Sequence, residues 1–220
     1  MERLLVLMLT VGVCSGWGQT QAAANQLTVE EQREGFTLLF DGKSLDGWDL
    51  RPGQEAVWRV VDGVIENDSS APGATMLTKQ DFANYVFKAE FRAHPGVNSG
   101  LMLRQRREGS GTPATAAGMT GYELNIRDKI LENRPGAYLT GSIVEVALAP
   151  ADATIVPHQW NTFEVTMNGD HLVVLYNGRK VVDAHDSTLA SGAIGLQSAH
   201  PVDPPGAKVE FRNLKLRRLP

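Results

Sequence analysis

Two charged side chains occur in strand-like patterns whose spacing allows them to act together on one ligand. In the run NSGLMLRQ, Met102 and Arg104 alternate with two leucines, and in the run GYELNI, Glu123 and Asn125 alternate with apolar residues. Successive side chains of a strand point to opposite faces, so Arg104 and Glu123 can project from one face if both strands share a sheet. A concave sheet bearing a carboxylate, a guanidinium and amides suits a sugar with its many hydroxyl groups. The alternative, which spacing alone favours, is a solvent-exposed Arg–Glu pair without a function.

Further polar and aromatic candidates lie next to strand patterns. Asn98 and Ser99 precede the first of these strands, where they form either a simple turn or an amide and a hydroxyl at a cleft. Gln197 closes the apolar run GAIGLQ, either as its solvent end or as a binding residue. His200 follows in a loop, and histidine suits proton transfer near neutral pH, although a lone loop histidine is more often only exposed. Trp48 follows a turn-rich run and either plugs the end of the fold or stacks on a sugar ring.

Strand patterns dominate the rest of the chain and must position these residues. Tyr85–Ala93 has the alternation that is typical of a half-buried strand. Trp160–Ala184 contains two Asn-Gly dipeptides between apolar runs, which predicts a three-stranded meander. A switch of apolar parity near Arg212 and Asn213 predicts a β-bulge. Helix signals are scarce, with a capping-box pattern at Thr28–Glu31, so the sequence predicts an all-β domain with one or two short helices.

Composition and motifs exclude several classes of function. The chain of 220 residues has 21 basic and 25 acidic residues, a formal net charge of −4 and no basic run, which argues against nucleic-acid binding. We find no HExxH, EF-hand, GxSxG or Walker A pattern. The five histidines are scattered, so no metal or other cofactor is predicted. A divalent metal assembled from separate loops is the open alternative.

The N-terminus has the pattern of a secretory signal peptide, which we place at residues 1–24. Arg3 precedes an apolar run, Leu4–Val13, that is too short to stay in a bilayer, and small residues follow it. We therefore expect a secreted or periplasmic protein, with one domain over residues 27–220 and no membrane span in the mature chain. Cys14, the single cysteine, could carry a lipid anchor, but Val13 before it is not the usual small residue.

Six short segments in order resemble one bacterial family, the secreted 3-keto-disaccharide hydrolases. These segments are GFTLLFDGKSLDGW, WRVVDGVIE, NSGLMLR, GYELNI, GAIGLQ and VEFRNL, and the resemblance runs from about Leu27 to Leu219. It implies a concanavalin A-like jelly-roll β-sandwich of two antiparallel sheets. It also implies action on 3-keto-glycosides. The family's TG-x-x-Tyr stretch appears here as Thr140–Val144 without the tyrosine, so this departure leaves the substrate preference open.

The resemblance implies a mechanism in which a ketone at C3 acidifies the C2 proton, a base removes it and the C1 leaving group departs by β-elimination, with or without rehydration. Glu123 is then the candidate base, Arg104 stabilises the enolate and His200 is the acid, or His200 exchanges roles with Glu123. A sugar would be bound by Asn98, Ser99, Gln197, Asn125 and Trp48. The main alternative is a non-catalytic, lectin-like carbohydrate-binding module, because fold does not determine function. A conventional glucanase would need a Glu-x-Asp-x-x-Glu-like array, which we do not find.

Overall fold

A computed structural model describes residues 23–50, 57–69, 73–107, 120–127, 139–200 and 204–220. Cys14 and all but the last two residues of the predicted signal peptide lie outside these ranges, so the signal peptide stays a prediction. Helix α1 (Val29–Arg33) has the predicted capping box: the Thr28 hydroxyl accepts from the Glu31 backbone N–H, and the Glu31 carboxylate accepts from that of Thr28. Within the described ranges, no helix has the length and apolar character needed to cross a membrane.

Two antiparallel sheets contain the described strands. The large sheet has eight strands in the order β11-β10-β9-β6-β13-β4-β3, with β1 also paired to β13. Its strands are β1 (Thr37–Leu38), β3 (Arg59–Val61), β4 (Val64–Asp68), β6 (Tyr85–Ala93), β9 (Asn161–Asn168), β10 (His171–Tyr176), β11 (Arg179–His185) and β13 (Lys208–Arg218). The predicted meander is confirmed as β9–β10–β11, and the predicted bulge in β13 is confirmed by a register shift between Arg212 and Lys215.

The small sheet has five strands in the order β2-β5-β12-β7-β8. Its strands are β2 (Trp48–Asp49), β5 (Thr75–Phe82), β7 (Asn98–Gln105), β8 (Tyr122–Arg127) and β12 (Gly192–Gln197). The two runs singled out in the sequence, which become β7 and β8, are therefore antiparallel neighbours in one sheet. The core lies between the two sheets and takes Phe87 and Phe91 from β6 together with Leu101 and Leu124 from the small sheet.

Residues 140–144 run along β8 and continue the hydrogen bonding of the small sheet beyond its last strand. The backbone N–H of Asn125 donates to Ser142 O, Gly141 N–H donates to Asn125 O, and Val144 N–H donates to Glu123 O. Ile143 also forms an antiparallel bridge with Leu124. The strand that bears Glu123 is therefore held on both sides, by β7 and by this segment, which makes its position rigid.

Candidate functional site

The candidate site lies on the face of the small sheet that points away from the core, which we call the outer face of the small sheet. On β8, Tyr122, Leu124 and Ile126 are buried in the core. Since a strand alternates, Glu123, Asn125 and Arg127 project from the opposite face. The sequence predicted this placement for Glu123 and Asn125.

The registers of β7 and β12 place a glycine at the centre of this face. Gly100 pairs with Asn125 on one side and with Gln197 on the other. A Cβ on Gly100 would lie 3.2 Å from Glu123 Cγ and 3.3 Å from Glu123 Oε1. Glu123 itself pairs with Met102, two residues further along β7, so its carboxylate leans along the sheet toward the Gly100–Asn125 row. Gly100 thus leaves space for the carboxylate between the side chains of Gln197 and Asn125.

The environment of Glu123 makes its carboxyl a better proton acceptor than an exposed one. The side chain is half-buried, and this burial raises the pKa of Glu123, because less water stabilises the carboxylate. The positive charge of Arg127 acts in the opposite direction and lowers that pKa. A general base works best when its pKa lies near the operating pH, so a raised pKa suits Glu123 to remove a proton.

Two polar atoms beside Glu123 are buried without a hydrogen-bond partner. They are the acceptor Oε1 of Gln197 and the donor Nε of Arg127. Leaving such an atom unpaired costs about 1–3 kcal/mol, so native proteins rarely keep one without a reason. A ligand with a hydroxyl donor and an oxygen acceptor would satisfy both. The other predicted binding residues on this face are Asn125, which is 1% exposed, and Asn98, which is half-buried and pairs with Arg127.

Arg104 does not join this site, and the prediction that it faces Glu123 is wrong. The side chain is 1% exposed. Its Nε and Nη2 donate to Ala83 O at 2.9 and 2.7 Å, and Nη1 donates to Gly169 O and Leu189 O at 2.7 Å each. Nη2 also lies 3.4 Å from Asn84 Oδ1. The guanidinium therefore ties together the β5–β6 turn, the β9–β10 turn and the loop between β11 and β12, and all five of its N–H groups are engaged within the protein.

A β-bulge explains why strand alternation fails at Arg104. Between the pairs Ala193–Gln105 and Gly195–Met102, β7 advances three residues while β12 advances two. Arg104 has a φ of +48°, in the left-handed region that a non-glycine residue seldom adopts. The extra residue reverses the parity of β7, so Arg104 turns toward the core.

Two predicted sugar-binding residues are also buried in structural roles. Trp48 is 3% exposed within the core, and its indole Nε1 donates to Leu39 O at 2.9 Å, so it cannot stack on a sugar. Ser99 is fully buried, and its hydroxyl donates to Gln197 O at 2.7 Å. Ser99 has the same parity as the core residue Leu101, which places it on the inner face. Both predictions are corrected: these side chains support the sheet and do not line the site.

His200 lies three residues beyond the end of β12 and is exposed. The bond from Ala199 N–H to Asn67 Oδ1, at 2.7 Å, fixes the backbone just before it. A catalytic role for His200 stays a prediction. Among the residues that the structure describes, no group of three or more His, Cys, Asp or Glu side chains is placed to hold a metal ion.

Arg127 is the site residue that sequence reasoning missed. It has the same parity as Glu123 and Asn125 in the run YELNIR, so alternation alone could have identified it. Arg104 stands inside a clear strand pattern, whereas Arg127 stands at the end of its strand.

The fold resembles several solved structures. One is a protein of Parabacteroides distasonis ATCC 8503 with the provisional name glycosyl hydrolase: it is 22% identical, the match covers 90% of this chain and 100% of that one, and the TM-score is 0.73. A second protein of that organism, with the same provisional name, is 24% identical. The match covers 84% of this chain and 99% of that one, and the TM-score is 0.67. The carbohydrate-binding module CBM66 of Bacillus subtilis is 18% identical, with coverages of 77% and 94% and a TM-score of 0.54.

These likenesses confirm the predicted fold, an all-β sandwich of the lectin and glucanase type. A comparison of the sequence with curated proteins finds no match. The model of the 3-keto-alpha-glucoside-1,2-lyase-like domain matches residues 35–217, nearly the whole described sandwich. The chain therefore belongs to the family of 3-keto-alpha-glucoside-1,2-lyase-like domains.

Proposed function

We propose that the protein cleaves 3-keto-glycosides, with Glu123 as the base that removes the C2 proton. Family membership and the glycosyl-hydrolase neighbours support a carbohydrate-active enzyme. The observation that carries the proposal is the half-buried Glu123 carboxyl, whose pKa is raised by burial and which leans over Gly100 between two carboxamides. The buried, unpartnered Oε1 of Gln197 is suited to accept a hydrogen bond from a sugar hydroxyl.

The reaction consists of proton abstraction followed by elimination. Glu123 takes the proton from C2, the C2–H electron pair forms a C2=C3 bond, and the π pair of the C3 ketone moves onto its oxygen to give an enolate. The enolate then re-forms the ketone while a C1=C2 bond forms, and the C1–O bond breaks with its electron pair going to the leaving-group oxygen. That oxygen takes up a proton. Water can then add at C1 with a proton at C2, which gives net hydrolysis.

Within the described strands of the small sheet, the other carboxylates lie far from Glu123, which fits elimination better than hydrolysis by two paired carboxyl groups. Conventional glycosidases hold two carboxyl groups about 5–9.5 Å apart. In the described part of the small sheet, Asp49 and Asp81 lie on β2 and β5, and Arg107 binds both carboxylates. At about 4.8 Å per strand, those strands are about 14–19 Å from β8. A single base that acts next to a ketone needs no second carboxylate.

The proposal is tested by incubating the purified protein with 3-keto-trehalose, a 3-keto-β-glucoside and their unoxidised parents, with and without chelator. We expect release of the leaving group from the keto sugars alone and deuterium incorporation at C2 in heavy water. Glu123→Gln should lower the rate by about 10³-fold. Glu164→Gln, a matched change on the large sheet, should have no effect. Sugar binding without turnover would instead identify a lectin-like module, and cleavage of the unoxidised parents would contradict the keto requirement.

The same proposal includes the location of the enzyme. The predicted signal peptide at residues 1–24 places it in the periplasm or outside the cell. N-terminal sequencing of the mature protein tests this, and an unprocessed Met1 in the purified native protein would contradict it.

A further inference from the structure

We infer that Arg127 is a catalytic residue of this site and that its guanidinium binds the C3 oxygen of the substrate, first as a ketone and then as the enolate. The inference rests on the proposed function, and it assigns to Arg127 the role for which the sequence had suggested Arg104. Three features of the structure lead to it: the fixed backbone of Arg127, its unpaired donor and the direction in which Glu123 leans.

The backbone of Arg127 is held firmly even though the residue ends β8. Its N–H donates to Thr140 Oγ1 at 2.9 Å, and the Thr140 hydroxyl donates to Arg127 O at 2.7 Å. Thr140 is itself 1% exposed. This double contact fixes the direction in which the side chain leaves the strand. A preorganised donor costs no reorganisation at the moment of reaction, which is what stabilisation of a developing anion requires.

The Nε–H group of Arg127 has no acceptor and is buried. Arg104, which serves the fold, donates to three backbone carbonyls. The Nε of Arg217 on the large sheet is also unpartnered, but that guanidinium lies 5.5 Å from the centroid of the Phe36 ring, whereas Arg127 shares its face with the half-buried Glu123. The positive charge of Arg127 nevertheless lowers the pKa of Glu123. Arg127 therefore has a donor available for an oxygen acceptor on the face that it shares with Glu123, and no residue in the described part of the chain supplies that acceptor.

The placement of the two side chains on one face suits two adjacent atoms of a keto sugar. Glu123 and Arg127 are four residues apart on one face, which separates their Cα atoms by about 13 Å. The Glu123 carboxylate leans from the Met102 row toward the Gly100 row and hence toward Arg127. In the substrate, C2 carries the proton to be removed and the neighbouring C3 carries the oxygen. With Glu123 at C2 and Arg127 at the C3 oxygen, the negative charge that leaves C2 arrives beside the guanidinium.

The test compares Arg127→Gln and Arg127→Lys with Arg59→Gln, which removes the same charge from the large sheet. For 3-keto-trehalose cleavage, we expect Arg127→Gln to lower kcat by about 10²–10³-fold and Arg127→Lys to recover part of this loss. C2 deuterium exchange should slow in parallel. The acidic limb of the pH profile should move to higher pH in Arg127→Gln, because Arg127 lowers the pKa of Glu123. Arg59→Gln should change none of these quantities.

A binding measurement separates this inference from the proposed function. Calorimetry gives the affinities for 3-keto-trehalose and for trehalose, and in Arg127→Gln the preference for the keto sugar should fall at least tenfold. Wild-type protein that binds the keto sugar without cleaving it would overturn the proposed function, and the affinity ratio would still decide the role of Arg127. An unchanged ratio and an unchanged kcat in folded Arg127→Gln would overturn the inference. Wild-type protein that neither binds nor cleaves the keto sugar would overturn both.

Discussion

The charged side chains around Trp160 on the large sheet and those around Glu123 on the small sheet differ in whether they have partners. On the large sheet, charged residues pair with each other: Arg92 binds both oxygens of Glu210 at 2.6 and 2.7 Å, and Arg212 binds Glu90 at 2.7 Å. Both guanidinium groups also cover the ring of Trp160, at 4.7 and 3.9 Å from its centroid. On the small sheet, Glu123 lies half-buried next to a donor and an acceptor that have no partner.

Polar groups that stabilise the fold have partners within the protein, whereas polar groups that bind a ligand lack such partners in the unbound protein. The paired charges of the large sheet satisfy one another, and a sugar could gain little from groups that are already engaged. The unpaired atoms of the small sheet make the folded protein less stable than it could be, and natural proteins tolerate such a cost mainly at functional sites. Single unpartnered atoms also occur at Trp58, Tyr85 and Arg217, so it is the combination of a donor, an acceptor and a half-buried carboxyl on one face that locates this site.

Arg104 gives the largest expected effect, because the sequence places it on the small-sheet face while its contacts are those of a structural residue. Arg104→Met removes donors from Ala83 O, Gly169 O and Leu189 O, and it should lower the free energy of unfolding by about 3 kcal/mol. Arg107→Met, which breaks two exposed ion pairs and one hydrogen bond to Thr78 O, should cost about 1 kcal/mol. Urea denaturation measures both. A stable but inactive Arg104→Met protein would place Arg104 in the site after all.

Gly100 allows a sharper test of the small-sheet face. In Gly100→Ala, the new Cβ would meet Glu123 Oε1 at 3.3 Å and Leu124 O at 3.1 Å, so the carboxylate must move. The shift is a few tenths of an ångström, so the displaced base should lower kcat by up to about tenfold while the protein stays folded. Steady-state kinetics and a melting curve measure the two effects. Normal kcat in the variant would show that the position of Glu123 over Gly100 is not used.

The smallest expected effect is a pair of opposite changes in stability. A raised pKa means that the folded state favours protonated Glu123, so the ionised form costs stability at neutral pH. Glu123→Gln should therefore stabilise the protein at pH 7, and the gain should fade as the pH drops below the raised pKa. Glu210→Gln loses the ion pair with Arg92, so the free energy of unfolding should fall by about 1 kcal/mol. The activity of this variant should be normal. The midpoints of urea denaturation at several pH values measure both changes in stability. If the two variants changed stability in the same direction at pH 7, the comparison would be contradicted.

Strand alternation predicted much of the fold and part of the site, and its failures have a physical cause. The bulge in β13 was predictable because Val209 and Phe211 before it, and Leu214 and Leu216 after it, reveal the change of parity. The bulge in β7 was not, because no apolar residue follows Arg104 in the strand to reveal the same change. Leu101 and Leu103 show only which face points to the core before the extra residue.

The roles of Trp48 and Ser99 could not be predicted for a different reason. Both residue types occur in cores and in sugar sites, and only the pairing partners decide between the two. Trp48 pairs with Thr78 of β5 and turns inward, and Ser99 pairs with Ile126 of β8. These contacts are distant in sequence, so no local pattern contains them.

The segment 140–144 also limits how this protein can associate with other chains. It occupies backbone groups of Glu123, Asn125 and Arg127 that a bare sheet edge would offer to a foreign strand. Sheet extension at that border is thereby blocked, which is one way proteins avoid fibrous aggregation. The residues proposed for catalysis can thus remain open to small molecules while their strand is closed to polypeptides.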